Sequence, residues 1–422
     1  MENLPEEILE RILSYLSPYD DMLSAAQVCV QWSRLVDGIR SQRWRRFYQQ
    51  IVNAYPKVTT VAVAKDKPLD SQRRSWQRPR SNIVRLTNTV RNRYKDSACY
   101  YKDSVYIFGG ISMSDQTAFN DLHRFDLRNR CWSNSTLITK GTKPLPRGSA
   151  SMVRHDDRLI LFGGYCPSTH HLAHNDFSEL YRFYNDLFVY DPLTSTWTEI
   201  KITPCNIPQE RASHSAVVIG HSMIIFGGIS KRTSFNDVWI LDLRNFTWQQ
   251  LKIDGITPCP RGGHSQIVVD EKRIAIIGGQ KRLGEHFESL TDIWLLDIVQ
   301  QRWQKIKVIN ENWMAPDIWY HPAVKINNIV VIFSNLISTL SAGVNAVNNT
   351  FNFDVTLNSI SNLHMFILDF SNLQNEKITF EVTWRQPIAL PVTSNKAHCS
   401  VLCRSEIFLF SSSNEETLYI IS

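Results

Sequence analysis

Three observations predict an α+β multidomain chain, with a small helical domain in front of an all-β six-bladed propeller. A one-faced helical pattern opens the chain. Apolar runs ending in Gly-Gly recur about every 50 residues from Gly109 onward, and each is followed at near-constant spacing by an Asp and then a Trp. The 422 residues leave room for two or three ordinary domains, or for one small domain beside a large repeat array. With 43% hydrophobic and 20% charged residues, the composition excludes a disordered or collagen-like chain. The longest apolar stretches, of the Ile329 to Phe333 kind, fall far below the roughly 20 residues of a bilayer span, so no membrane partner is expected. The acidic start MENLPEEILE lacks the basic region and apolar run of a secretory signal, and the eight cysteines form no C-x-x-C pair. Reduced thiols and an intracellular location, cytoplasmic and/or nuclear, are expected.

Residues 4 to 16 place Leu4, Ile8, Leu9, Ile12, Leu13 and Leu16 on one side of a helix, with Glu6, Glu7, Glu10 and Arg11 opposite. Pro5 falls in the first turn, where its missing N–H costs nothing, and Ser17-Pro18 stops the run. Ser17 and Asp20 suit the start of a second helix with Met22, Leu23 and Ala26, and Val28, Trp32, Leu35, Val36 and Ile39 recur as a third. A unit of about 40 residues buries too little to be self-sufficient, so part of its apolar face is expected to meet another protein.

LPEEILERILSYLSP followed by AAQVCVQWSRL resembles the F-box, a helical motif that docks on the Skp1 adaptor of SCF ubiquitin ligases. The resemblance implies that Leu4, Pro5, Ile8, Leu9, Ile12, Leu13, Val28, Cys29 and Trp32 supply Skp1 contacts or their immediate support. Trp32 and Leu13 suit an internal core role equally well. Residues 1–40 are assigned to this motif and 41–71 to a helical extension, carrying Trp44, Phe47, Tyr48 and Ile51, that runs into a basic linker. Between Arg40 and Lys95 fifteen Lys or Arg stand against Asp66 and Asp70, so the formal +6 of the chain is a local surplus. Arg73, Arg74, Arg78 and Arg80 have no nucleic-acid-reading motif beside them, and a solvated basic face rather than nucleic-acid binding is expected.

The repeats begin with VYIFGG, LILFGG, MIIFGG and IAIIGG, whose first glycines Gly109, Gly163, Gly227 and Gly278 lie 54, 64 and 51 residues apart. In each, the later Asp precedes the Trp by six residues: Asp126 and Trp132, Asp191 and Trp197, Asp242 and Trp248, Asp297 and Trp303. His214 and His264 stand thirteen and fourteen residues ahead of their glycines, with Asp96 and Ala150 in the corresponding place. The same offset from His321 and His398 leads to VVIFSN and IFLFSS, two further repeats without Gly-Gly, and brings the count to six. The last lacks a Trp-bearing strand, for which the segment around Trp76 is the expected substitute.

This pattern resembles the kelch motif and implies a six-bladed β-propeller over residues 72–422, closed from the N-terminal side. Glycine permits close backbone approach where strands turn, and Trp fills space between blades. Loops joining the second to the third strand of a blade emerge on the same face as those joining one blade to the next. On that face the loop from Tyr165 to Tyr184 is long and aromatic, and Tyr165, His171, Phe177, Tyr181 and Phe183 are its candidate contacts to a client protein. The Asn- and Ser-rich loop from Asn335 to Asn362 is taken as disordered or as an insertion.

His170, His171 and His174 have metal-like spacing but neither a predicted helix nor a carboxylate pair, so no metal or cofactor is expected. The repeating histidines point to structural hydrogen bonds. G-x-S-x-G, P-loop and H-E-x-x-H motifs are absent from the sequence. A non-catalytic substrate receptor is therefore expected, with the F-box on Skp1, hence in a cullin-RING ligase, and the propeller on a client. The alternative is a Skp1-binding kelch scaffold acting outside a cullin ligase.

Overall fold

The computed structural model describes residues 81–85, 93–112, 114–129, 131–133, 136–167, 181–202, 206–231, 233–283, 286–315, 320, 323–335, 363–371, 380–389, 397–403, 406–411 and 417–421. The expected N-terminal helices and Trp76 lie outside these residues. Contacts divide the chain into two compact units, and the larger, Ile83–Val401 with Leu409–Tyr419, holds five propeller blades.

Each blade is an antiparallel sheet whose strands lie in chain order. Blade one comprises Ser97–Tyr101, Ser104–Phe108, Leu122–Asp126 and Cys131–Trp132, and blade two Ser151–His155, Arg158–Phe162, Leu187–Asp191 and Thr196–Ile200. Blade three comprises Ser215–Ile219, Ser222–Ser230, Thr233–Asp242 and Thr247–Leu251. Blade four comprises Ser265–Val268, Arg273–Ile277, Ile293–Asp297 and Arg302–Lys305, and blade five Ala323–Ile326, Ile329–Asn335, Leu363–Asp369 and Glu381–Ala389. Lys140–Gly141 and Lys307–Ile309 add short parallel strands to the outer edges of blades two and five. A further four-stranded sheet runs in the order Ser81–Arg85, Thr417–Ile421, Glu406–Ser411, Ala397–Cys403. The one helical element among the described residues is the 3₁₀ turn Glu311–Trp313.

The second and third strands are sandwiched between neighbouring blades. In most of them both faces are buried, which is why they read as unbroken apolar runs rather than as alternation; the third strand of blade one, Leu122–Asp126, is an exception, with Arg124 exposed. In blades two to five the Trp of the fourth strand fills the gap between blades. The rings of Trp197, Trp248 and Trp303 lie 5.2, 4.9 and 5.1 Å from Phe108, Phe162 and Phe226 on the preceding blade. Trp384, fully buried, closes the apolar core between blades four and five, and burial of this kind is worth on the order of 3–5 kcal/mol against Ala.

The six-residue step from Asp to Trp has a local cause. The Asp carboxylate accepts the backbone N–H groups of the turn that follows, as Asp126 does from Arg128 and Asn129 at 2.8 and 2.9 Å and Asp297 from Val299 and Gln300 at 2.9 and 2.7 Å. The turn then delivers Trp at a fixed position on the returning strand.

The opposite ends of the blades are tied by a buried arginine. Arg93, Arg147, Arg211 and Arg261 each fork onto one carboxylate, of Asp121, Asp186, Asp237 and Asp292, with N···O distances of 2.5 to 3.0 Å. Each also donates to the carbonyl of the first glycine, Gly109, Gly163, Gly227 or Gly278. The backbone carbonyls of Arg147, Arg211 and Arg261 accept the N–H of the second glycine of the preceding blade at 2.8 to 2.9 Å. One arginine thus joins three loops within a blade and its neighbour. Glycine is needed here: a Cβ on Gly163 (φ +67°) would lie 2.7 Å from the Arg211 carbonyl oxygen, and one on Gly164 (φ +99°) 2.9 Å from that of Gly148.

Candidate protein-binding face

The latches position what lies just beyond them. The residue that opens each first strand's approach, Lys95, Ser149, Ser213, Gly263 and Tyr320 in turn, has a positive φ. Their backbones link into an arc across five blades, Ser149 N–H donating to Lys95 C=O, Ser213 to Ser149, Gly263 to Ser213 and Tyr320 to Gly263, at 2.7 to 3.0 Å. Residues remote in sequence are therefore held side by side.

At one end of the arc the Lys95 ammonium stands 5.2, 5.2 and 5.3 Å from the ring centres of Tyr94, Tyr165 and Tyr320, and donates to the Tyr165 hydroxyl at 2.9 Å. Tyr165 stacks on Phe183 at 5.8 Å and meets Tyr181 edge-on at 5.7 Å. The strands Tyr165–Pro167 and Tyr181–Phe183 pair as an antiparallel hairpin, which sets those three rings together. Tyr320 bonds to Ser213 through its hydroxyl, and Tyr94 donates to Gln116 Oε1 at 2.6 Å. Burial pushes the phenols of Tyr94, Tyr165, Tyr181 and Tyr320 above their ordinary range, so all four stay neutral donors. An aromatic patch with phenolic hydroxyls around one cation is suited to gripping a polypeptide by apolar contact and carbonyl or carboxylate hydrogen bonds.

Of the sequence-predicted contacts, Tyr165, Tyr181 and Phe183 come together, while His171 and Phe177 lie outside the described residues, as do His170 and His174. Sequence reasoning missed Tyr94, Lys95 and Tyr320. The signal was present, since Lys95 and Tyr320 occupy the column one place ahead of the repeating His position. Leu4, Pro5, Ile8, Leu9, Ile12, Leu13, Val28, Cys29 and Trp32, the expected Skp1 contacts, also lie outside the described residues.

Of the repeating histidines, His214 and His264 are packed inside. His214 Nε2 bonds Ser151 Oγ at 2.9 Å and His264 Nε2 bonds Ser215 Oγ at 2.6 Å, each reaching the first strand of the preceding blade. Burial, aided by the charge of Arg211 or Arg261, pushes both imidazoles down to about 3. Among the described residues, no helix is long and apolar enough to cross a membrane.

Comparison with known proteins agrees with this architecture. Residues 1–50 match the family described as F-box-like, and residues 93–303 match the one described as FBX42, beta-propeller domain. Kelch domain-containing protein 3 of Bos taurus is 30% identical over 238 residues, covering 54% of this chain and 59% of that protein. Kelch domain-containing protein 1 of Mus musculus is 28% identical over 243 residues, covering 54% and 58%. Acyl-CoA-binding domain-containing protein 4 of Arabidopsis thaliana is 29% identical over 252 residues, covering 58% of this chain but 34% of that protein. The chain thus spans between a third and three-fifths of the length of these relatives. With the propeller match extending over half its length and an F-box-like segment ahead of it, the chain belongs to the F-box/kelch family described as FBX42, beta-propeller domain.

Proposed function

We propose that the chain is the substrate-recognition subunit of an SCF-type (Skp1-cullin-F-box) ubiquitin ligase, closely similar to F-box only protein 42. Residues 1–40 hold Skp1, 41–71 form the extension and basic linker, and 72–422 form a six-bladed propeller. The sheet of Ser81–Arg85 with the three C-terminal strands is its sixth blade. The client protein lies on the face around Tyr165, Tyr181 and Phe183, together with Lys95 and Tyr320. The protein itself is non-catalytic, needs no cofactor and works in the cytoplasm and/or nucleus. Fixing a client beside a charged E2 converts a bimolecular encounter into an effectively intramolecular one.

The observation that supports this reading is the order of parts: an F-box-like segment at residues 1–50 precedes a propeller that displays an aromatic, cation-bearing face. Replacing Leu9 and Leu13 together by Ala is expected to weaken Skp1 binding at least about thirtyfold, or about 2 kcal/mol. Calorimetry with purified Skp1 checks this, and unchanged affinity overturns the assignment. Skp1 binding without co-purification of the cullin would instead favour a scaffold role.

A further inference from the structure

The turns between first and second strands lie at the other end of the blades from the aromatic face. Two of them, from neighbouring blades, bring His155, Asp156 and His221 together. His155 Nε2 stands 2.8 Å from His221 Nδ1 and 3.6 Å from Asp156 Oδ2, and the three ligand atoms lie within 4.8 Å of one another. The two imidazoles are close to perpendicular, 78° apart. Neither kelch packing nor client binding calls for this arrangement.

The scaffold beneath it is rigid. His155 ends the strand Ser151–His155, whose register pairs it with Arg158, and Arg154 Nε holds the turn by donating to the Asp156 carbonyl at 2.9 Å. His221 follows the strand Ser215–Ile219, and its own carbonyl accepts the Leu243 N–H at 2.8 Å. Val153, Ala216 and Val218, from the same two strands, pack into one apolar cluster. The donors are therefore pre-positioned by two adjacent blades.

We propose that His155, His221 and Asp156 form a binding site for a borderline divalent transition cation of the zinc class, which clamps blade two to blade three. Two imidazole nitrogens and one carboxylate oxygen form a donor set that favours such ions over Mg²⁺ and Ca²⁺, which take oxygen ligands. With metal–nitrogen bonds of about 2.0–2.1 Å, nitrogens at right angles on one ion stand about 2.9 Å apart and tetrahedral ones about 3.3 Å. The 2.8 Å separation matches the first spacing, and the second after a small opening of the two turns; in both cases the rings must rotate from their mutual hydrogen bond to aim their lone pairs at the ion. A nitrogen that binds the ion must carry no proton, so each ring's N–H then sits on its far nitrogen. Solvent completes the coordination.

The test is titration of the purified full chain with ZnCl₂ and NiCl₂, followed by calorimetry and by thermal denaturation. MgCl₂ and CaCl₂ serve as controls, and the proposal stands or falls independently of the ligase role. One saturable Zn²⁺ equivalent is expected that raises the melting temperature. His155→Ala, at the end of its strand, and His221→Ala, on an exposed turn, are each expected to weaken it about tenfold or more, and Asp156→Asn by a smaller factor. His171→Ala/His174→Ala is expected to retain it. The proposal is overturned if Zn²⁺ produces no saturable heat up to about 1 mM, an affinity below about 4 kcal/mol. It is also overturned if the folded H155A/H221A chain binds with unchanged affinity and stoichiometry. Should that double variant fail to fold, Asp156→Asn together with His221→Ala alone decides the matter by the same criterion.

Discussion

Blades two to four and blade five solve the same packing problem with different chemistry. In the former, Arg147, Arg211 and Arg261 are fully buried and each binds an Asp and a glycine carbonyl. In blade five all three partners change together. Ile318 stands at the arginine's place in the sequence, outside the described residues, Ser334 replaces the glycine, and His364 faces Ser334 where Asp186 faces Gly163. Blade five nevertheless keeps Trp384, the Asp369 turn, in which Ser371 N–H donates to the carboxylate at 2.9 Å, and the backbone arc through Tyr320. The apolar seam between blades and the Asp turn are therefore sufficient to make a blade. The arginine latch adds rigidity to one end of it.

The largest effect expected from this contrast is that of Arg211→Ala. It strips a buried charge, removes the guanidinium donor from the Gly227 carbonyl and leaves the Asp237 carboxylate with the Trp239 indole as its side-chain donor. Burial pushes the Asp237 carboxyl up, and the hydrogen bonds and charge of Arg211, with Trp239, more than offset that, so the group lies below its ordinary range. Removing the arginine is expected to cost about 3 kcal/mol in denaturant unfolding. Arg385→Ala in blade five, which breaks the partly exposed pair with Asp369, is expected to cost about 1 kcal/mol or less. Equal losses would mean that the latch adds nothing beyond an ordinary surface pair.

A smaller effect separates the blades by pH. His214 and His264 sit in blades three and four, whereas Asp96 and Ala150 hold that place in blades one and two. Their folded pKa values, about 3, lie below the unfolded imidazole value of 6.5, so the unfolded chain takes up protons first as pH falls. The stability they contribute is complete above about pH 6.5 and is lost progressively toward pH 3. At pH 5.5 the expected loss is about 1.4 kcal/mol for each histidine. Melting temperatures from pH 7.5 to 5 check this, and H214Q/H264Q is expected to flatten the slope. A slope that first appears below pH 4 would assign acid sensitivity to the carboxylates instead.

Much of this frame was legible in the sequence, because its causes are local. The Asp-to-Trp step is one hairpin turn, the unbroken apolar runs are strands buried on both faces, and Gly-Gly marks backbones in near contact. The arginine's role was less visible, since its partners lie 16 to 39 residues away in the chain. The site was legible in half. Tyr165, Tyr181 and Phe183 belong to one hairpin and stand out as an aromatic loop. Lys95 lies 70 residues from Tyr165 and reaches it, and Tyr320, only through the folded propeller. His155 and His221, 66 residues apart, meet for the same reason.

The smallest expected change in stability tests whether the face is distinct from the frame. Lys95 packs on three tyrosine rings and donates a hydrogen bond to the Tyr165 hydroxyl, so Lys95→Met, which keeps most of the apolar stem, is expected to alter stability by no more than about 1 kcal/mol. Removing its charge from the centre of the aromatic patch is expected to weaken client capture on the order of tenfold while leaving Skp1 recovery unchanged. Quantitative affinity proteomics of K95M beside the wild type and an F-box-deleted chain separates the two readouts. If the client signal persists at wild-type strength, recognition lies elsewhere on the propeller. If Skp1 recovery falls with it, the variant has disturbed more than the face.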